Sequence, residues 1–177
     1  MPREDLRIYV PEGAEPDLVE GDPQVAYFPV DPCVAIRRGD FLWLNGDDRG
    51  AVVLPARELS FHFGAPYTWR QLQRRFAALF CGIACGESPA GEGESIPVAT
   101  AGVYRVRSEV GSALAGSLVG LAVSADGREL RDQQVQLVAA EDRAIGRVRF
   151  LNQTSQSRLA LRIDSQVMRR VRHEEAA

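Results

Sequence analysis

At 177 residues the chain has room for one domain or two very small ones, and a chain of this size buries roughly 70% of its unfolded surface, enough for a core without covalent staples. Its 45% hydrophobic, 25% charged and 7% aromatic residues are those of an ordinary globular protein, and no apolar run nears the ~20 residues of a membrane-spanning helix. The net charge of −3 argues against a nucleic-acid binder driven by electrostatics, and all 21 basic residues are Arg, so lysine chemistry (P-loop, Schiff base, Lys general base) is excluded.

Met1-Pro2-Arg3-Glu4-Asp5-Leu6 carries no apolar signal-peptide core, so the chain is expected not to be secreted. Residues 1–24 hold two arginines against seven acids, a net −5, which leaves +2 for the remainder. Four prolines and a single apolar cluster, Ile8-Tyr9-Val10, make this stretch an extended acidic arm, because it buries too little to offset its ordering entropy. Ile8, Tyr9 and Val10 combine β-propensity with side chains to bury, and so form a candidate interface.

From residue 25 to about 166 the pattern is that of one β domain. Val25–Val30 and Val34–Ile36 are β-branched and aromatic. Arg37-Arg38-Gly39-Asp40 reads as a turn before Phe41–Leu44. Asn45–Gly50 reads as a hairpin connection to Ala51–Leu54. Thr68-Trp69-Arg70-Gln71 fits a capping box, and Trp69, Leu72, Phe76 and Leu79 follow at helical spacing, predicting a helix over about 68–79. Its outer face carries Arg70, Arg74 and Arg75, a second candidate interface. A polar loop over 86–95 follows, then strand-like pieces within 96–106 on either side of Ala101-Gly102. Further strands are expected at 118–123, 135–138, within 144–151, and at 158–163, with Asp126-Gly127 as a hairpin signal. Residues 167–177 read as a frayed C-terminal tail.

An internal echo sharpens this reading. Gly39-Asp40-Phe41-Leu42 resembles Gly116-Ser117-Leu118-Val119, and Cys81-Gly82-Ile83-Ala84 resembles Ile145-Gly146-Arg147-Val148. Two similar β units are therefore expected, with the helix inserted between them and ending near Leu79 or Phe80. A small mainly-β barrel or sandwich is the fold class.

No catalytic or metal-binding pattern emerges. Cys33, Cys81 and Cys85 are an odd number, and Cys81-x-x-x-Cys85 lacks the second ligand pair that a tetrahedral zinc site needs, so buried core thiols are the better reading. His62 and His173 stand alone. No G-x-S-x-G or phosphate-binding glycine loop occurs. No catalytic residue, metal or cofactor is assigned. A ligand-binding barrel or small enzyme with an aromatic pocket from Phe61, His62, Phe63, Tyr67 and Trp69 remains the alternative.

Gly102-Val103-Tyr104, Gly116-Ser117-Leu118-Val119, Ala144-Ile145-Gly146-Arg147-Val148 and Leu161-Arg162-Ile163 occur in an order that resembles the small capsid decoration or cement proteins of tailed phages, formerly domain of unknown function 2190. Arg38-Gly39-Asp40-Phe41 resembles that family's glycine-aspartate turn, and the likeness covers about residues 34–163 apart from the helical segment. The resemblance implies a compact β-barrel or sandwich without enzymatic activity, oligomeric and often trimeric. Such a protein binds the major capsid protein and stabilises the head as part of the virion, assembled in the host cytoplasm from a phage or prophage gene. Ser117 stands where the second aspartate is expected, and the helix and acidic arm exceed the family's minimal pattern.

Overall fold

The computed structural model describes residues 17–47, 50–62, 68–89, 95–108, 113–149 and 158–176. Nine strands run through it: β1 (Asp17–Pro29), β2 (Phe41–Asp47), β3 (Gly50–Pro55), β4 (Phe80–Ala84), β5 (Ser95–Ser108), β6 (Leu118–Val123), β7 (Leu130–Leu137), β8 (Gly146–Val148) and β9 (Arg158–Asp164). Three helices accompany them: the short α1 (Leu59–His62), α2 (Trp69–Leu79) and α3 (Gln166–Ala176). The protein is mainly β, as its alternating apolar segments require.

Five strands close into a barrel in the ring order β5, β7, β6, β8, β9 and back to β5. The ring is antiparallel except where Arg107 and Ser108 run parallel to Gln134 and Val135. The same ring is laid out by β1, β3, β2, β4 and the first half of β5. It closes through one parallel bridge, Val30 to Val53. Thus β5 is shared: residues 95–100 complete the first barrel and residues 101–108 open the second.

The two rings match residue by residue. Leu42 pairs with Gly82 as Val119 pairs with Gly146. Ala84 pairs with Val98 as Val148 pairs with Leu161. Val30 meets Val53 as Ser108 meets Val135. Backbone hydrogen bonds repeat too: Gly39 N–H donates to Ala84 O at 2.8 Å and Gly116 N–H to Val148 O at 2.7 Å. Cys85 N–H reaches Pro97 O at 2.9 Å, and Arg149 N–H reaches Ala160 O at 2.8 Å.

Glycine at two positions per unit explains why the echo is visible in sequence. Gly39 and Gly116 sit at φ 92° and 86°, where a side chain is strained. A Cβ on Gly82 or on Gly146 would fall inside the carbonyl of Ala99 or of Arg162, on the neighbouring strand. The interior repeats as well. Val30, Ile36, Leu42, Val53, Cys81, Ala84, Ile96 and Val98 form one cluster inside the first barrel. Their counterparts in the second are Ser108, Ala113, Val119, Val135, Ile145, Val148, Leu159 and Leu161, all buried. The larger core cluster joins this second interior to Phe41, Trp43, Phe76 and Phe80 of the first unit.

Several expectations are corrected by the structure. The helix lies inside the first unit, between β3 and β4, at the place where the second unit has only the 3-10 turn Glu141–Arg143. The capping box is present: Thr68 Oγ1 accepts from Gln71 N–H at 3.3 Å, and Gln71 Oε1 accepts from Thr68 N–H at 2.8 Å. The helix ends at Leu79 because β4 pairs as a strand between β2 and β5, where a Cβ at position 82 would meet the Ala99 carbonyl. The pieces expected within 96–106 are one continuous strand. Val34–Ile36 forms only a bridge from Ile36 to Ser88.

The acidic arm does not extend to residue 24: β1 begins at Asp17 and pairs along β5, with Asp17 opposite Arg105 and Leu18 opposite Tyr104. Pairing satisfies backbone groups that the segment cannot satisfy alone. The C-terminal tail is helical from Gln166. Buried Ser165 caps it, accepting from Met168 N–H at 3.3 Å while donating to Phe80 O at 3.3 Å.

Candidate functional site

Where the two units meet, α2 lies across the second barrel. Its inner face buries Leu72, Phe76 and Ala77, and with them Gln73. That buried amide donates to Leu121 O at 2.7 Å and accepts from Arg143 at 3.2 Å, so both ends are satisfied. The outer face presents Arg70, Arg74 and Arg75, all exposed as the helical period requires. The Arg70 guanidinium stacks 4.9 Å from the centre of the Trp69 ring, and Arg143 approaches the same ring at 5.6 Å. Arg74 pairs with Asp142 at 2.7 Å.

Beside α2 an open groove of about 740 Å³ runs over the 3-10 turn, β8, β9 and the start of α3. Arg74, Arg147, Arg162, Arg169 and Arg170 line it, with Glu141, Asp142 and Asp164 as the acids. Arg147 pairs with Glu141 and Arg169 with Asp164. These pairs are solvent-exposed and each contributes at most ~1 kcal/mol. Five arginines against three acids leave the groove with a net positive charge.

A second cluster lies between the units. Asp40 is fully buried, accepting from Arg37 N–H at 2.9 Å and from Gln133 Nε2 at 2.8 Å, with Arg57 Nη1 at 3.9 Å. Arg57 in turn grips Asp132 at 2.7 Å and Ala35 O at 2.6 Å. Desolvation by burial holds the Asp40 carboxyl above the usual carboxylate range, against the hydrogen bonds that favour its charge. The cluster ties the turn before β2 to β7 of the other barrel. Its members are all paired with one another, which is the chemistry of a clamp.

The thiols differ by location. Cys81 and Cys85 are buried, and desolvation pushes them up to about 12 and about 11, so both are protonated at neutral pH. Cys33 is exposed. Among the described residues no three His, Cys, Asp or Glu side chains converge on a point that could hold a metal ion. His62 lies in α1 and His173 in α3, with both side chains outside the described residues, as are the side chains of Phe61, Phe63 and Tyr67. Trp69, the remaining member of the aromatic set, packs beside Arg70 and Arg143 on the α2 surface.

Of the expected interface residues, Arg70, Arg74 and Arg75 share one exposed helix face. Ile8, Tyr9 and Val10 lie outside the described residues. The sequence reading missed the groove, whose arginines come from α2, β8, β9 and α3, separated by up to 96 positions from Arg74 to Arg170. It also missed the Asp40–Arg57–Asp132 clamp, for which the sequence offers only the Gly39-Asp40 turn.

Neither a protein-family model nor a curated protein matches the chain. Among the described residues no helix is long and apolar enough to cross a membrane.

Proposed function

We propose that this chain is a non-enzymatic structural protein of a tailed phage or prophage that binds the major capsid protein and stabilises the head surface. The observation that carries the reading is the identity of the motif residues with the framework of the barrels. Gly39-Asp40-Phe41 and Gly116-Ser117-Leu118 form equivalent turns, and Gly82 and Gly146 make equivalent close approaches. The residues on which the resemblance to decoration proteins rests are thus those that build the small β unit, used twice in one chain. Fold-level likeness by itself does not specify function, so the reading also draws on the surface.

That surface offers extended charged contacts rather than an enclosed polar site: the α2 arginine face and the groove beside it. A decoration protein attaches through many such contacts repeated over a lattice, where modest individual affinities combine. The acidic segment ahead of β1, with Ile8-Tyr9-Val10, supplies a further contact with the capsid. The protein acts as an oligomer in the assembled virion, formed in the host cytoplasm.

The test is to induce the source strain, purify phage particles and quantify the chain by mass spectrometry. Copy numbers in a fixed ratio to the major capsid protein are the expected outcome. Its absence from purified heads, together with no co-sedimentation of the purified chain with those heads, would overturn the reading. A chain lacking residues 1–16 should keep its fold and bind heads more weakly. The cut falls at 16 because β1 begins at Asp17.

A further inference from the structure

The groove beside α2 lies on the second barrel at a place whose equivalent on the first barrel is covered. Leu118, Ala144, Arg147 and Arg162 line it. In the ring register they correspond to Phe41, Phe80, Ile83 and Ala99 of the first unit. All four counterparts are at most 1% exposed. Their cover is helical: the Phe76 ring of α2 is centred 5.8 Å from that of Phe80, and Ser165, the cap of α3, donates to Phe80 O. The second unit has the 3-10 turn Glu141–Arg143 where the first has α2. Among the described residues its face is an open groove, with smaller residues in place of the two phenylalanines and arginines in place of Ile83 and Ala99.

We infer that the groove is the docking site for an amphipathic α-helix of a protein partner, with an apolar stripe over Leu118 and Ala144 and acidic residues against Arg162 and Arg170. A strand has no place to add, because β8 is paired on both sides by β6 and β9, and β9 by β8 and β5. A helix satisfies its own backbone and needs only a matching surface. Ala77 and Ala78 of α2 form one wall, and such small side chains let a second helix approach closely. Charge selects the polar residues of the occupant. Arg74, Arg147 and Arg169 are paired with acids, whereas Arg162 and Arg170 are exposed and have no acidic partner among the described residues. Those acids on the rim and the apolar floor disfavour a nucleic-acid backbone. This chain does not supply the helix. Its first 16 residues carry Pro2, Pro11 and Pro16, α2 presents arginines, and α3 is itself a wall of the groove.

The inference is independent of the capsid reading, since its test uses the isolated full-length chain and a synthetic helix. The probe is a peptide of residues 68–80 carrying Arg70→Glu, Arg74→Glu and Arg75→Glu. It is chosen because α2 is the helix that seats on the equivalent face. A side-chain cross-link holds it helical, since a free helix of this length is marginal. Fluorescence anisotropy should show saturable binding to the chain. The same helix with its arginines kept should bind at least about tenfold more weakly. Arg162→Glu together with Arg170→Glu should reverse that preference. Ala144→Phe, which fills the floor as Phe80 does in the first unit, should weaken binding roughly tenfold or more with no fall in melting temperature. The exposed arginine pair carries the test alone if Ala144→Phe fails to fold. No saturable binding, equal affinity for the two helices, or indifference to either folded variant would overturn the inference. So would displacement of the probe by a peptide of residues 1–16 or by duplex DNA, which would give the groove to the chain's own acidic segment or to nucleic acid.

Discussion

The first barrel closes through a single bridge, Val30 to Val53, and carries an eleven-residue helix between its β2–β3 hairpin and β4. The second closes through two paired positions, Arg107 with Gln134 and Ser108 with Val135, and has a 3-10 turn in place of the helix. What they share is the glycine framework and the pattern of inward-facing residues; what differs is the filling. Cys81 faces the interior where Ile145 stands in the other unit, and Val30 and Ile36 correspond to Ser108 and Ala113. Leu42 is likewise larger than Val119, while Ala84 and Val98 are smaller than Val148 and Leu161, so larger residues at three positions accompany smaller ones at three others, as close packing within a fixed ring demands. The comparison teaches that backbone constraints define this unit, while the apolar filling is negotiable within its volume.

The sharpest way to break the comparison is to substitute its framework. Gly82→Val and Gly146→Val each drive a side chain into a neighbouring carbonyl, Ala99 O or Arg162 O. Either should cost more than about 4 kcal/mol, read as loss of folded protein or a large fall in the urea midpoint. Gly82 is expected to be the more sensitive, because Val98 also crowds it and β4 is buried throughout. Equal and small effects at both sites would show that the close approaches relax.

The next effect separates Asp40 from its counterpart Ser117. Asp40→Ala leaves Arg37 N–H without its acceptor, leaves the Gln133 amide only Arg38 O, and removes a charge beside Arg57. A loss of about 3–5 kcal/mol is expected, as for breaking a buried pair, whereas Ser117→Ala should cost under about 1 kcal/mol. The pH dependence has a definite sign. Because the folded carboxyl holds its proton to higher pH than the ordinary 3.8, the Asp40 contribution to stability is fullest below that value and falls as pH rises through the folded pKa. Urea unfolding of the parent and Asp40→Asn across that window should show the fall only in the parent.

A smaller contrast tests the filling. Ile145→Ala should cost about 2–4 kcal/mol and Cys81→Ala about 1 kcal/mol, because the first removes three more buried carbons than a thiol-to-methyl change does. Matching costs would show that the two interiors are packed to different densities. The smallest effect concerns the element that only the first unit possesses. Thr68→Ala removes the α2 cap and should cost about 1 kcal/mol by chemical denaturation. The second unit's 3-10 turn has no side-chain cap to lose.

Much of the fold was legible in the sequence because its determinants are local. Alternation marked β2, β6 and β9, the capping box placed α2 to within a residue of its start, and repeated glycines exposed the duplication. A positive φ or a close backbone approach admits little but glycine, so these positions show in the one-dimensional pattern. The chain by itself also determined the composition-level facts: an all-arginine basic set and a strongly acidic beginning.

Other features required the tertiary structure. Whether residues 17–24 form a strand depends on β5 lying beside them, since no local preference distinguishes Asp17–Asp22 from an extended acidic linker. The helical end at Gln166–Ala176 depends on Ser165, whose hydroxyl is held by Phe80 O, 85 residues away in sequence. The groove and the Asp40 clamp join residues whose separation along the chain bears no relation to their distance in space. Most decisively, β5 serves both barrels at once. Its residues read as strand from either half, but which edge is filled is fixed only when the rings close. Backbone pairing is a property of neighbours, and the sequence specifies neighbours only through the fold.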